Sequence, residues 1–310
     1  MMLIFVLFME TSPNLIYYAI PGFILLMILE VYLSHRMRKD AYEIKDSASS
    51  IGLGLGNVAV GLLAKVILLG VLTFFFQFRM FEIPVTWWSW ILLVFLDDFS
   101  YYWMHRVSHR NRFFWASHIV HHSSKRYNLS TALRQTWTGP FYTFIFWLWL
   151  PLLGFHPYMV MAQMSISLIY QFWIHTETVG KLPNWYEAFF NTPSHHRVHH
   201  ATNPRYLDRN HAGIFIIWDK IFETFEAEVE DEPAVYGLIK NIDSFNPVRI
   251  AFNEWKLMFN DAVKRGLTIR ERWNYLTQPP GWKHDGTGIL SEDLRSEWEE
   301  HNSTVHSNSK

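Results

Sequence analysis

Twelve of the 16 histidines fall between His105 and His211, and most of them come in blocks. His105 and His109 stand four apart, which sets two imidazoles on one face of a helix. His118, His121 and His122 follow as H-x-x-H-H, His175 stands alone, and His196, His199 and His200 repeat H-x-x-H-H. A lone histidine is ordinarily a surface residue or a hydrogen-bonded core residue. Rings this crowded are different: protonated they would repel, and neutral they would have no use for one another. Metal resolves both. Nine imidazoles exceed the needs of one four- to six-coordinate ion, so two ions are the economical reading. His195 and His211 are spare candidates beside the third block, able either to bind metal or to line the site.

The chain has no cysteine, which excludes disulfides, thiolate ligands and iron–sulfur clusters. Ligands are then nitrogen and oxygen, and imidazole alone does not choose between iron, zinc, copper and nickel. Buried ligand imidazoles need acceptors for their second N–H. Asp97, Asp98, Asn128, Glu177, Asn191 and Asp219 are the candidates, with Glu177 also close enough in sequence to His175 to be a direct oxygen ligand. His35, His156, His284, His301 and His306 lie outside the blocks and receive no role.

The elements that must position these residues are apolar. Half of the chain is hydrophobic, and five segments are long enough to cross a bilayer or half-cross it as a hairpin: 14–33, 51–76, 86–103, 139–153 and 158–173. Pro151, Gly154 and Pro157 split the last two into an expected tight helical hairpin. Lys65 interrupts the second segment and is expected to face other helices or to snorkel. Arg36, Arg38, Lys39 and Lys45 follow the first segment, and Arg106, Arg110, Arg112, Lys125, Arg126 and Arg134 follow the third. The positive-inside rule makes both regions cytoplasmic, and five crossings bring every histidine block to that one side.

Trp185, Phe189, Phe190, Trp218 and Phe222 suit a surface lying in the membrane interface. The aromatic run 141–149 reads as a lipid-facing or core surface, or as the wall of an acyl tunnel. Beyond Pro279 the sequence is polar and reads as a disordered tail. Met1–Glu10 lacks a basic start and a cleavage site and reads as part of the mature chain. A formal net charge of -1 argues against nucleic acid as a partner. The expected fold is all-α, an integral-membrane bundle with a cytoplasmic histidine-rich helical cap. It divides into N-terminal membrane helices (1–80), a catalytic region (81–230) and a C-terminal cytoplasmic region (231–310). A redox-active metal pair at the mouth of such a bundle is suited to activating O2 against a lipid C–H bond. A membrane zinc hydrolase is the alternative from another class, weakened by the lack of a general-base glutamate placed as in H-E-x-x-H. A third reading is a non-catalytic metal- or lipid-binding membrane protein.

These blocks resemble the three histidine boxes of the fatty acid hydroxylase and sterol desaturase superfamily, with His175 matching an additional ligand. The strings FSYYW (99–103), HHSSKRYNLSTALRQ (121–135), QFWIHTE (171–177), NTPSHHRVHH (191–200) and IIWDK (216–220) are similar to its alkylglycerol monooxygenase branch. The resemblance implies two iron ions, O2, a lipid substrate and tetrahydrobiopterin as reductant for oxidation of an ether-linked carbon. Sterol or fatty acid hydroxylation or desaturation is the neighbouring reading within the superfamily. One position departs, since Arg110 stands where the branch has a glutamate after the first box. No haem or flavin domain is evident, so electrons must come from an external donor.

Overall fold

The structure is a computed structural model, and it describes residues 15–308. Met1–Glu10 lies outside the described residues. Long, mostly apolar sequence builds α1 (Leu15–Arg36) and α2 (Ile44–Phe76). Their apolar stretches have mean hydropathies of 1.5 and 2.5 and are only 11% buried, the reverse of a soluble core helix. These two helices are long and apolar enough to cross a bilayer. Glu43 starts α2 by accepting from the backbone N–H groups of Lys45 and Asp46 (3.1 and 2.6 Å).

The third apolar segment lies in α3 (Trp87–Arg110), which continues about two turns past Trp103 and carries His105 and His109 out of the apolar stretch. Asn111 ends α3 and starts α4 (Arg112–His122): its backbone is extended and its side-chain oxygen accepts from the Phe113 N–H (3.0 Å). One residue thus folds the second histidine block back against the first.

Segment 139–153 is not one helix. It is broken into 3-10 turns at Gly139–Phe141 and Thr143–Trp147 followed by the short α5 (Trp149–Leu153). Pro140 and Pro151 each remove a backbone donor, so a continuous ladder cannot form. Gly154 ends α5 at φ 120, and a Cβ there would lie 2.1 Å from the Phe81 carbonyl oxygen. From there α6 (Pro157–Trp173) returns, and Leu72, Leu93, Trp147, Leu150, Phe155 and Val160 form the core between these elements and α2 and α3.

The remaining helices are α7 (Asn184–Glu187), α8 (Pro193–His200), α9 (Ile217–Ile221), α10 (Pro247–Ala262), α11 (Ile269–Thr277) and α12 (Ser291–Asn308). No β-strand occurs among the described residues, and the fold is all-α. Two expectations need correction. The stretch read as a disordered tail is helical over Ser291–Asn308, with Glu292 and Asp293 at the favourable N-terminal end. Its Arg295 donates to the Leu207 carbonyl (3.0 Å), and Arg205 lies over the Trp298 ring. Composition cannot register such distant partners. Among the aromatic residues expected at the interface, Trp185 and Phe189 are exposed, but Trp218 donates to Asp98 and Phe222 stacks on Tyr102.

Candidate metal centre

The fold gathers nine histidines into two adjoining groups. His105, His109, His118, His122 and His199 form one, and His121, His175, His196 and His200 the other; within each, the candidate ligand atoms all lie within 4.8 Å of one another. The first group draws on α3, α4 and α8, the second on α4, α8 and the residue just after α6. Both groups therefore share α4 and α8.

Ring orientation is set from behind. The Nδ1 atoms of His105, His199, His175 and His121 face the carbonyls of His211, Arg209, Gln171 and Arg134 at 2.7, 2.9, 2.7 and 3.3 Å. A carbonyl can only accept, so each Nδ1 carries the proton and each neutral ring turns a bare lone pair on Nε2 inward. Yet His175 Nε2 stands 3.1 Å from His121 Nε2. Two lone pairs at that distance repel unless a cation lies between them or one ring is protonated. Burial opposes protonation: it lowers the pKa of His121 to about 4 and those of His175, His196 and His200 well below the usual value, and neighbouring histidines push those three in the same direction. In the first group His105, His118 and His122 Nε2 atoms are linked at 2.9 and 3.1 Å, and His122 to His199 at 3.1 Å. Buried His109 Nε2 has no hydrogen-bond partner. Nine buried or half-buried imidazoles, each offering one ring nitrogen to its group, fit a pair of transition-metal ions.

His109 is oriented by a carboxylate that sequence reasoning missed. Its Nδ1 lies 3.1 Å from Asp208 Oδ1. Burial works to raise the Asp208 pKa, but the His109 hydrogen bond and nearby positive groups hold it below the usual carboxylate range. Asp208 has φ 55, a conformation that Asp and Asn tolerate better than most residues, and no spacing in the sequence marks it as the partner of His109.

The six expected acceptors sit elsewhere. None of them appears in a hydrogen bond to a ligand imidazole among the described residues. Asp219 accepts from the backbone N–H groups of His211 and Ala212 (both 2.8 Å) and from Thr224 Oγ1 (2.6 Å). Asn191 donates to the Ala212 carbonyl (2.6 Å). Asp98 accepts from Ile214, Phe215 and Trp218 (2.6, 2.9 and 3.1 Å), an approach that leaves no room for a Cβ on Gly213, 2.7 Å from Oδ1. These three residues clamp the loop whose His211 carbonyl holds His105. Asp97 instead takes the Trp147 indole N–H (2.7 Å), and Asn128 donates to the Ala41 carbonyl (2.5 Å). Glu177 joins neither histidine group and offers its backbone carbonyl to Lys39.

The spare histidines also stay out of both groups. His195 packs on Phe225, with Nε2 3.8 Å from Glu187. His211 is fully buried against the first group, its ring 5.2 Å from that of His109 and its Nδ1 3.6 Å from Asp219. Arg110 meets Glu292 at 3.5 Å. Arg134 is fully buried, donating to Ser123 Oγ (2.9 Å) and Asp46 Oδ1 (3.1 Å), and so ties α2 to the loop that orients His121.

Residues 90–224 match the family model described as fatty acid hydroxylase. The chain is 41% identical over 282 residues to the alkylglycerol monooxygenase of Homo sapiens and 40% identical over 284 residues to that of Danio rerio. Each match covers 88% of this chain and 61% of the relative, so the chain spans about three fifths of their length. Lathosterol oxidase of Homo sapiens is 25% identical over 161 residues, covering 49% of this chain and 48% of that protein. No solved structure matches the chain.

Proposed function

We propose that the chain, whose residues 90–224 match the fatty acid hydroxylase family, is a membrane di-iron monooxygenase whose lipid substrate is an alkylglycerol, oxidised at the ether-linked carbon. The observation that carries this reading is the pair of adjoining imidazole groups with inward lone pairs, beside helices apolar enough to cross a bilayer. His105, His109, His118, His122 and His199 would hold one iron, and His121, His175, His196 and His200 the other. When bound, the two ions supply the O2 activation needed to take hydrogen from an unreactive C–H bond.

The chain's own residues do the rest. Four backbone carbonyls and Asp208 hold the Nδ1 protons, which leaves Nε2 free to bind metal. Burial keeps the rings neutral and limits water. His118 and His121 are the half-exposed members of their groups, and both lie on α4, so a lipid would approach along that helix. Tetrahydrobiopterin is the reductant this reading assigns, and it takes the histidine groups to face the cytoplasm, with the positive loops as support.

Support for the ether-lipid substrate comes from the two relatives named alkylglycerol monooxygenase. The similarity to lathosterol oxidase favours a sterol as the second reading. Lipid profiling of cells expressing wild type beside His121→Ala separates them. Ether lipids are expected to fall only with wild type; unchanged ether lipids with an altered sterol or acyl pool would reject the first reading.

A further inference from the structure

Outside the histidine region, α10 has three faces where a surface helix needs two. Ile250, Ala251, Glu254, Met258 and Ala262 are buried against the protein. At 3.6 residues per turn the adjoining face carries Val248, Phe252, Phe259 and Val263, which are 55, 44, 51 and 67% exposed. Exposed Arg249 and Lys256 follow next round the helix. An exposed apolar stripe edged by cations is what a helix lying on a lipid surface presents.

The stripe continues the outer surface of α2. A Cβ on Gly52 would stand 3.0 Å from the Pro247 ring, where α10 begins. Trp137 bridges the two helices, donating to the Leu53 carbonyl (2.9 Å) while its ring meets Phe252 at 6.1 Å. Beside these contacts α2 exposes Ile51 and Leu55, the start of its outward apolar side.

We propose that α10 lies in the plane of the bilayer surface, at the level of residues 51–56 of α2, with Phe252 and Phe259 at the acyl boundary and Arg249 and Lys256 among anionic phospholipid headgroups. The inference rests on reading α2 as a membrane span, and the test separates the two. Because the chain has no cysteine, the full protein can carry one label at Phe259→Cys, Lys256→Cys or Leu63→Cys. All three side chains are exposed, so the changes leave the packing intact.

Each labelled protein is reconstituted into vesicles of phosphatidylcholine alone or mixed with phosphatidylserine, and quenched with aqueous iodide or a lipid-borne nitroxide. The label at 259 is expected to be severalfold less open to iodide than the label at 256 and to respond to the nitroxide, more strongly with phosphatidylserine present. Equal iodide quenching at 259 and 256, with Leu63→Cys shielded by lipid, would overturn the docking of α10 alone. Shielding of 259 from both quenchers would overturn it in favour of a second copy covering the stripe. Iodide access at 63 would overturn the span and the docking together.

Discussion

Replacing Asp208 tests whether the two histidine groups are separate metal sites. Asp208 supports His109 in the five-histidine group, while no ligand of the four-histidine group takes a carboxylate hydrogen bond among the described residues. Asp208→Asn keeps an oxygen acceptor 3.1 Å from the ring and suits φ 55, so it removes charge while preserving shape. Outer partners of ligand histidines are typically worth 10- to 100-fold in metal affinity, about 1.4–2.7 kcal/mol. The neutral Asn variant belongs near the lower end, about tenfold. Asp208→Ala loses the acceptor as well and adds roughly 1–2 kcal/mol of left-handed backbone strain. The assay is metal content per chain, by elemental analysis, of purified protein against increasing chelator. Half of the metal in Asp208→Asn should leave at about a tenth of the wild-type chelator concentration, the other half where wild type releases it. A curve that overlays wild type, or both halves shifting together, would refute the reasoning.

The other expectations are more direct. His175→Ala removes a ring from the four-histidine group, and elemental analysis should find metal content falling toward one ion per chain with loss of lipid oxidation. In chelator-treated protein the buried histidines have folded pKa values below their unfolded value near 6.5, so the unfolded chain binds more protons below that pH and stability falls as pH drops, from about 6.5 toward about 4 for His121. Each such histidine contributes up to ~1.4 kcal/mol per pH unit, and thermal melts across that window should shift downward, whereas metal-loaded protein should resist. Asp46→Asn strands buried Arg134 and should cost about 3–5 kcal/mol, read as a lower melting temperature in detergent with the change at His121 visible in metal retention.

The parts of the fold legible in sequence were those written as long apolar runs. α1 and α2 lie where hydropathy alone puts them, because little else in those stretches competes. Segment 139–153 has the same apolar content, but its prolines and Gly154 break the helical ladder, and local donors outweigh mean hydropathy there. α12 failed for the opposite reason. Its residues are polar and charged, and its packing depends on Leu207 and Arg205, more than 80 residues upstream.

The histidine blocks were legible and their supports were not, and the spacing explains how the blocks divide. In an H-x-x-H-H block the first and last residues stand four apart on one helix face, while the middle histidine lies to the side. α4 sends His118 and His122 to the five-histidine group and His121 to the other; α8 does the reverse, sending His196 and His200 to the four-histidine group and His199 to the five. Two helices with the same pattern, used in opposite senses, are enough to bring both histidine groups together between them. That symmetry lets two blocks of the same spacing feed both groups, where one group would not require it. What holds each ring is mostly backbone carbonyl, and every residue type carries one, so no side-chain pattern marks it. The acidic candidates were sought one layer too close: Asp98 and Asp219 act on the backbone that presents the His211 carbonyl, and only Asp208 reaches a ring itself.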